Sequence, residues 1–126
     1  MANTRASRKH IRKVTQFSVR VRVLSSAQCP SGEVPGIAGT ATSISEGGLG
    51  FETNLPLAAG DELQIAFILP GEKQKVVLEA TVQSVRAAER TTSDPNQVTI
   101  GLKFKNVAPQ TAVYLTNYMS GTFLLY

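Results

Sequence analysis

The chain has 126 residues, of which 42% are hydrophobic, which is enough for one domain with a single core. One His, one Cys and nine acidic residues exclude an internal disulfide and leave too few ligands for a His/Cys metal site. No apolar run approaches the roughly 20 residues of a membrane-spanning helix, and no apolar stretch follows the basic N-terminus as a secretory signal requires. These features predict a cytoplasmic domain without a transmembrane segment.

The N-terminal segment is electropositive, in a chain whose formal net charge is +4. Seven of the thirteen basic residues lie at or before Arg22, and the first acidic residue is Glu33. Uncompensated positive charge of this kind attracts phosphate groups, although a solvated basic tail would look the same. We therefore divide the chain into a basic, ligand-clamping arm (residues 1–16) and one folded domain (residues 17–126).

Six segments of the folded domain have the pattern of β-strands separated by Gly- and Pro-containing turns. In the first of them, Phe17, Val19, Val21 and Val23 alternate with mostly polar residues, which is typical of a half-buried strand. Adjacent glycines predict a tight turn with positive φ at residues 45–48. The predicted strands span residues 17–24, 37–44, 49–53, 62–69, 76–87 and 98–104.

The last two predicted elements have special features. In the segment 76–87, Val85 shares the apolar face of Val76 and Val82 only if a β-bulge shifts the alternation. After residue 104 the spacing changes to a helical period, and Pro109 suits the first turn of a helix. The sequence therefore predicts an all-β fold, a six-stranded antiparallel barrel with a C-terminal α-helix.

Catalytic motifs are absent from the sequence. The single His10 lies in the basic arm, and no acidic residues are spaced as in HExxH or DxD. The segment Gly47-Gly48-Leu49-Gly50 lacks the Lys-Ser/Thr pair and the following helix of a phosphate-binding loop. We therefore predict that the protein is not an enzyme and uses no cofactor.

Two short motifs carry a resemblance to a known family. Arg8 and Arg12 form an RxxxR pattern in the arm, and Ser43, Ser45 and Gly48 form an SxSxxG pattern at a strand-turn junction. In this order, and followed by GLGFET and a terminal helix, they resemble the RxxxR and [D/N]xSxxG signatures of the PilZ domain family. The resemblance covers nearly the whole chain. It implies a Greek-key or split six-stranded barrel that binds cyclic di-GMP, often as an intercalated dimer, and relays it to a partner.

The resemblance also implies the residues that bind the ligand. A guanidinium group is a planar fork that pairs with phosphate or with guanine O6 and N7. Ser43 stands where the family has Asp or Asn, and its hydroxyl makes one neutral bond where a carboxylate accepts two, so we expect weaker binding or reliance on a neighbouring residue. The implied ligand-binding residues are Arg8, Lys9, Arg12, Ser43, Ser45, Gly47 and Gly48.

Parts of the sequence look particularly similar to the PilZ modules of exopolysaccharide systems, namely alginate co-polymerase and cellulose synthase. This implies a receptor that regulates exopolysaccharide synthesis, biofilm or motility machinery through a protein partner or a membrane-bound synthase. As part of a longer chain it would lie at the cytoplasmic face of the inner membrane. The alternative, favoured by Ser43, is an adaptor that has lost the nucleotide and acts by protein contacts. A barrel that binds nucleic acid polymers is disfavoured, because such folds stack bases on exposed aromatic residues, whereas the strand phenylalanines have core positions.

Overall fold

The computed structural model describes residues 13–87 and 96–124, which form seven β-strands and one helix. The elements are β1 (Lys13–Ser25), β2 (Gly32–Glu33), β3 (Gly39–Ile44), β4 (Gly48–Thr53), β5 (Glu62–Ile68), β6 (Lys75–Ala87), β7 (Val98–Lys105) and α1 (Pro109–Leu124). The six predicted strands and the helix are confirmed, and most of their ends agree to within two residues.

Six of the strands close into an antiparallel barrel, as predicted. Their order is β1-β3-β4-β7-β6-β5, and β5 pairs back onto β1, with Arg20 opposite Ala66 and Val23 opposite Leu63. Strands β4 and β5, although consecutive in the sequence, are not neighbours, which is the Greek-key feature of the fold. The additional β2 pairs with the end of β1, and its two residues are too short to carry a periodic pattern.

Strand β1 begins at Lys13, four residues before the predicted start of the first strand. Lys13 and Val14 pair with Ile44 and Ser43 of β3, and a register shift follows before Phe17. The shift breaks the simple alternation, so the pattern in the sequence becomes regular only from Phe17 onward. The segment predicted as the arm, residues 1–16, thus includes at its end four residues, 13–16, that belong to the barrel wall.

The barrel is filled by side chains that alternate along each strand. Phe17 and Phe67 pack with ring centroids 5.1 Å apart at an angle of 36°, and Phe51 and Phe104 are also buried. All four strand phenylalanines therefore occupy the core positions expected for them. Because these rings face inward, they are not available for stacking on bases at the barrel surface.

Strand β6 contains the bulge that its sequence pattern required. Its pairing with β7 shifts register between Val82 and Ser84. Val82 pairs with Leu102 and Val85 with Ile100, two buried residues on one face of β7, so the bulge places Val85 on the apolar face as expected. Val85 is nevertheless 38% exposed, and every side chain of β6 from Gln83 to Ala87 is exposed as well.

Helix α1 packs against the barrel through Leu115 and Met119, which are buried, and through Tyr114 and Tyr118, which are half-buried. The ammonium group of Lys13 lies 3.5 Å from the Tyr118 hydroxyl and 4.9 Å from the centre of its ring. These contacts join the helix to the first residue of β1. No helix in the described ranges is both long and apolar enough to span a membrane.

The loop before β5 is organised around a buried acid, Asp61, which is 6% exposed. Its carboxylate accepts hydrogen bonds from the Ala58 N–H and the Ser26 hydroxyl, each at 2.8 Å. The Ser26 oxygen in turn accepts the N–H of Cys29 at 3.0 Å. Burial, together with the nearby Asp61 charge, raises the pKa of the Cys29 thiol, which is therefore held neutral in the core.

We expect Asp61→Ala to lower the free energy of unfolding by about 2–3 kcal/mol, because it leaves the Ala58 and Ser26 donors without their acceptor. Urea denaturation followed by circular dichroism measures this loss. Asp61→Asn is the control, since it retains an acceptor oxygen and should cost about half as much. Equal stability of wild type and the Ala variant would contradict this account of the loop.

Candidate ligand-binding site

The SxSxxG motif forms the hairpin between β3 and β4. The Ser45 N–H donates to the Gly48 carbonyl oxygen at 2.9 Å, and the buried Ser45 hydroxyl accepts the N–H of Gly47 at 3.3 Å. The Gly47 carbonyl oxygen accepts the N–H of Phe104 at 2.9 Å, which fastens the hairpin to β7. Ser45 and Gly47 therefore shape the turn and hold it against the barrel.

The glycines of this hairpin do not have the backbone conformation that the sequence suggested. In the described part of the chain, positive φ occurs at four other glycines, namely Gly32, Gly36, Gly60 and Gly71. Gly48 is needed for a different reason, because a Cβ atom at this position would collide with the carbonyl oxygen of Leu102 on β7. The prediction of positive φ at the Gly47-Gly48 pair is therefore wrong, and close strand packing explains Gly48 instead.

Beside the hairpin, a groove of about 740 Å³ crosses the outer surface of the barrel. Its lining comes from five strands, β1, β3, β4, β6 and β7. The rim on the side of β1 is formed by Val14, Thr15 and Gln16, the last three residues of the segment predicted as the basic arm. A volume of this size lies within the range of about 300–1,000 Å³ that is common for small-molecule sites.

The floor of the groove is a row of small residues in register. Ser43 of β3 lies opposite Gly50 of β4, Gly50 opposite Gly101 of β7, and Gly101 is aligned with Ser84 beyond the β6 bulge. A Cβ atom on Gly101 would lie 2.6 Å from the Ser84 hydroxyl oxygen. Two adjacent glycines between two serines therefore create a low surface where a flat ligand can approach the backbone.

A second row, two residues further along the strands, is polar and charged. Glu52 of β4 pairs with Thr99 of β7, and Thr99 pairs with Arg86 of β6. All three line the groove, with Glu52 and Thr99 only 6% and 8% exposed. This row cannot be recognised in the sequence, because each residue alone looks like an ordinary polar strand position and only the register of three strands brings them together.

The predicted site residues divide into three groups. Ser43 lines the groove, and Ser45, Gly47 and Gly48 form the hairpin at its end. The arm residues Arg8, Lys9 and Arg12 lie outside the described residues, so their place in the site stays a prediction. The structure thus brings one predicted side chain into the groove and gives the hairpin residues a supporting position.

The titratable groups with shifted pKa values lie away from the groove. An ion pair with Lys105 and a hydrogen bond from Thr81 hold the pKa of Glu62 below its usual value. Burial, followed by the hydrogen bond to Glu72, raises the pKa of Tyr114. Both groups therefore take part in polar contacts outside the groove. Among the described residues there is no cluster of three His, Cys, Asp or Glu side chains that could hold a metal ion.

A comparison of the sequence with known families identifies the family of this chain. The family model described as the PilZ domain matches residues 6–121, which is most of the chain and includes both motifs. This chain belongs to the PilZ domain family. No curated protein matches the sequence of this PilZ domain.

Several solved structures share the fold of this PilZ domain at low sequence identity. The PilZ domain of YcgR from Escherichia coli, solved with c-di-GMP, superposes with a TM-score of 0.65 at 16% identity, covering 91% of this chain and 90% of that one. The PilZ domain of CeSA from a cellulose-synthesizing bacterium gives 0.57 at 16% identity, with 90% and 98% covered. The inhibitor of motility MotI/DgrA from Bacillus subtilis gives 0.69 at 17% identity, with 94% of this chain covered. This PilZ domain spans 51% of the length of that inhibitor.

Proposed function

We propose that this PilZ domain is a receptor for cyclic di-GMP and binds the dinucleotide in the outer groove. The observation that carries the proposal is the groove itself, which adjoins the SxSxxG hairpin and whose rim begins at Val14, two residues after the RxxxR motif. The YcgR domain of the same fold, solved with c-di-GMP, supports this choice of ligand.

The groove offers complementary chemistry to each part of the ligand. Its glycine floor admits a flat base or ribose, and Ser43 supplies a hydroxyl at the edge of that floor. Arg12 directly precedes β1 in the sequence, and the residues of β1 that form the rim follow within a few positions. Guanidinium groups of Arg8 and Arg12 pair with phosphate or guanine, and Lys9 adds positive charge.

The hairpin residues have a supporting function in this proposal. The Ser45 hydroxyl and the Gly47 carbonyl oxygen already bond within the hairpin and to β7. They fix the orientation of the turn, and with it the position of Ser43 on the adjoining strand. The backbone of the turn then presents a preformed surface to the ligand, without the entropy cost of ordering a loop.

We propose that the domain performs no catalysis and acts by relaying the bound state to a protein partner or a membrane-bound synthase. Its fold is shared with the CeSA domain and with the inhibitor of motility. Exopolysaccharide synthesis and motility are therefore the two processes that we propose for its output. Binding in the arm changes the charge of an electropositive segment, which is the physical signal that a partner would detect.

Calorimetric titration with cyclic di-GMP, and separately with cyclic di-AMP, tests the proposed function. We expect cyclic di-GMP to bind at least tenfold more tightly, because a guanine edge and not only the phosphate charge is recognised. The measured ligand-to-protein ratio separates a single molecule from an intercalated dimer. Equal affinities that fall together as the salt concentration rises would contradict the proposal, since they indicate charge attraction alone.

A second candidate function, that of an adaptor that does not bind the nucleotide, is favoured by Ser43. Ser43 lies in the groove at the position where the family motif has an acid or amide, so the chain lacks that acceptor. An adaptor that acts only by protein contacts would tolerate this change. A folded protein that shows no heat of binding with either dinucleotide would favour the adaptor.

A further inference from the structure

The hydroxyl of Thr99 lies in the groove and makes none of the contacts proposed above. Among the described residues, Thr99 Oγ1 is the buried side-chain polar atom that has no hydrogen-bond partner. A buried hydroxyl without a partner is unfavourable, and native folds rarely retain one without a reason. Thr99 is 8% exposed and lines the groove, so a molecule bound there could supply the missing partner.

The neighbours of Thr99 indicate which kind of molecule fits. Glu52 and Arg86 are its cross-strand partners on either side, and directly opposed residues have Cβ atoms about 5 Å apart. Both charged residues also take part in an interaction within the protein. The groove therefore presents, in order across three strands, an anionic acceptor, a hydroxyl and a cationic donor.

This order matches one edge of guanine. Along that edge the base presents the N2–H and N1–H donors, then the O6 acceptor, then the N7 acceptor. We propose that Glu52 and Thr99 read a guanine base of cyclic di-GMP. The Glu52 carboxylate accepts from N1–H and N2–H, and the Thr99 hydroxyl donates to O6. Arg86 completes the row by donating to O6 or N7.

The inference rests on the proposed function and explains how this chain can use Ser43. The carboxylate that the motif position lacks is supplied by Glu52, on the next strand and two residues beyond the partner of Ser43. Adenine does not fit the same row, because it has an amino group in place of O6 and an unprotonated N1. Discrimination between the two bases then follows from the side chains of β4 and β7.

Titration with cyclic di-GMP and with its inosine analogue, which lacks only the N2 amino groups, tests the role of Glu52. We expect wild type to prefer cyclic di-GMP at least tenfold. In Glu52→Gln the preference should fall below threefold, because an amide accepts less strongly and its NH2 faces the guanine donors. Glu33→Gln on β2 removes the same charge away from the groove and should keep the wild-type preference.

The outcomes separate this inference from the proposed function. If wild type binds neither dinucleotide, both fail. If wild type binds cyclic di-GMP and Glu52→Gln retains the full preference over the inosine analogue, only the guanine-reading row fails. If the preference is lost equally in Glu33→Gln, the effect is one of net charge and the row is again excluded.

Thr99→Val gives an independent measurement, because valine has nearly the same shape without the hydroxyl. We expect the melting temperature of the free protein to rise by a few degrees, since no hydrogen bond is lost and a buried polar atom is removed. The affinity for cyclic di-GMP should fall about fivefold to tenfold. Unchanged affinity, or a lower melting temperature, would show that the hydroxyl serves the fold and would overturn its role in binding.

Discussion

Gly48→Ala is expected to lower the free energy of unfolding by at least about 3 kcal/mol, because the added methyl group cannot be accommodated without moving backbone. The new Cβ atom would collide with the carbonyl oxygen of Leu102, which belongs to the neighbouring strand and not to a flexible side chain. Gly48 pairs with Lys103 at the start of the β4–β7 ladder. Urea denaturation, or a large drop in melting temperature, measures the effect.

Gly71→Ala is the matched control for this prediction. Gly71 has a φ of 80°, but a Cβ atom there would have no atom within 4 Å. The same substitution therefore introduces only backbone strain, of about 1 kcal/mol. If both variants lose the same stability, close packing against β7 is not the reason for Gly48. If Gly48→Ala is as stable as wild type, the pairing at this end of β4 is looser than described.

The close packing of Gly48 also changes the role that this glycine of the family motif can be given. A glycine in a ligand-binding signature is readily assigned to the ligand, because it leaves room for a close approach. Here the same glycine is required by the contact between two strands. Weak binding by a Gly48 variant should therefore be interpreted only together with its stability, whereas Ser43 can be tested without this complication.

The barrel could be predicted from the sequence because its signals are local. The alternation from Phe17 to Val23 and the bulge in β6 can each be recognised from residues close together in the chain. The helical spacing after Pro109 is equally local. The prediction failed where pairing with another strand decides the structure, as at Lys13, whose place in β1 depends on its partner Ile44.

The groove is a consequence of register and could not be predicted. Gly50 and Gly101 are about fifty residues apart in the sequence, yet they are directly paired and form its floor. Glu52, Thr99 and Arg86 are brought together in the same way. Single-sequence patterns give the face of a strand on which a residue lies but not the residue opposite to it, so the polar row becomes visible only in three dimensions.

The joint variant Arg8→Ala/Arg12→Ala is expected to lose at least about a hundredfold in affinity for cyclic di-GMP. Each arginine is proposed to make paired, charge-assisted bonds to a phosphate or a guanine. Replacing either arginine alone should cost about 2–3 kcal/mol of binding free energy. Both residues lie outside the described part of the chain, so the expectation comes from the RxxxR motif and from the position of the groove rim at Val14 to Gln16.

Lys73→Ala/Lys75→Ala is the control for the loss of two positive charges. Both lysines are exposed, and neither lines the groove. Calorimetric titration at two salt concentrations should show near wild-type affinity for this control, because long-range attraction between exposed charges is screened within about 10 Å at 0.1 M salt. The paired arginine bonds are less sensitive to salt than this general attraction, so their loss should persist at the higher concentration. Equal losses in the two joint variants would mean that the arm contributes only net charge, and the proposal of an arginine clamp would then be wrong.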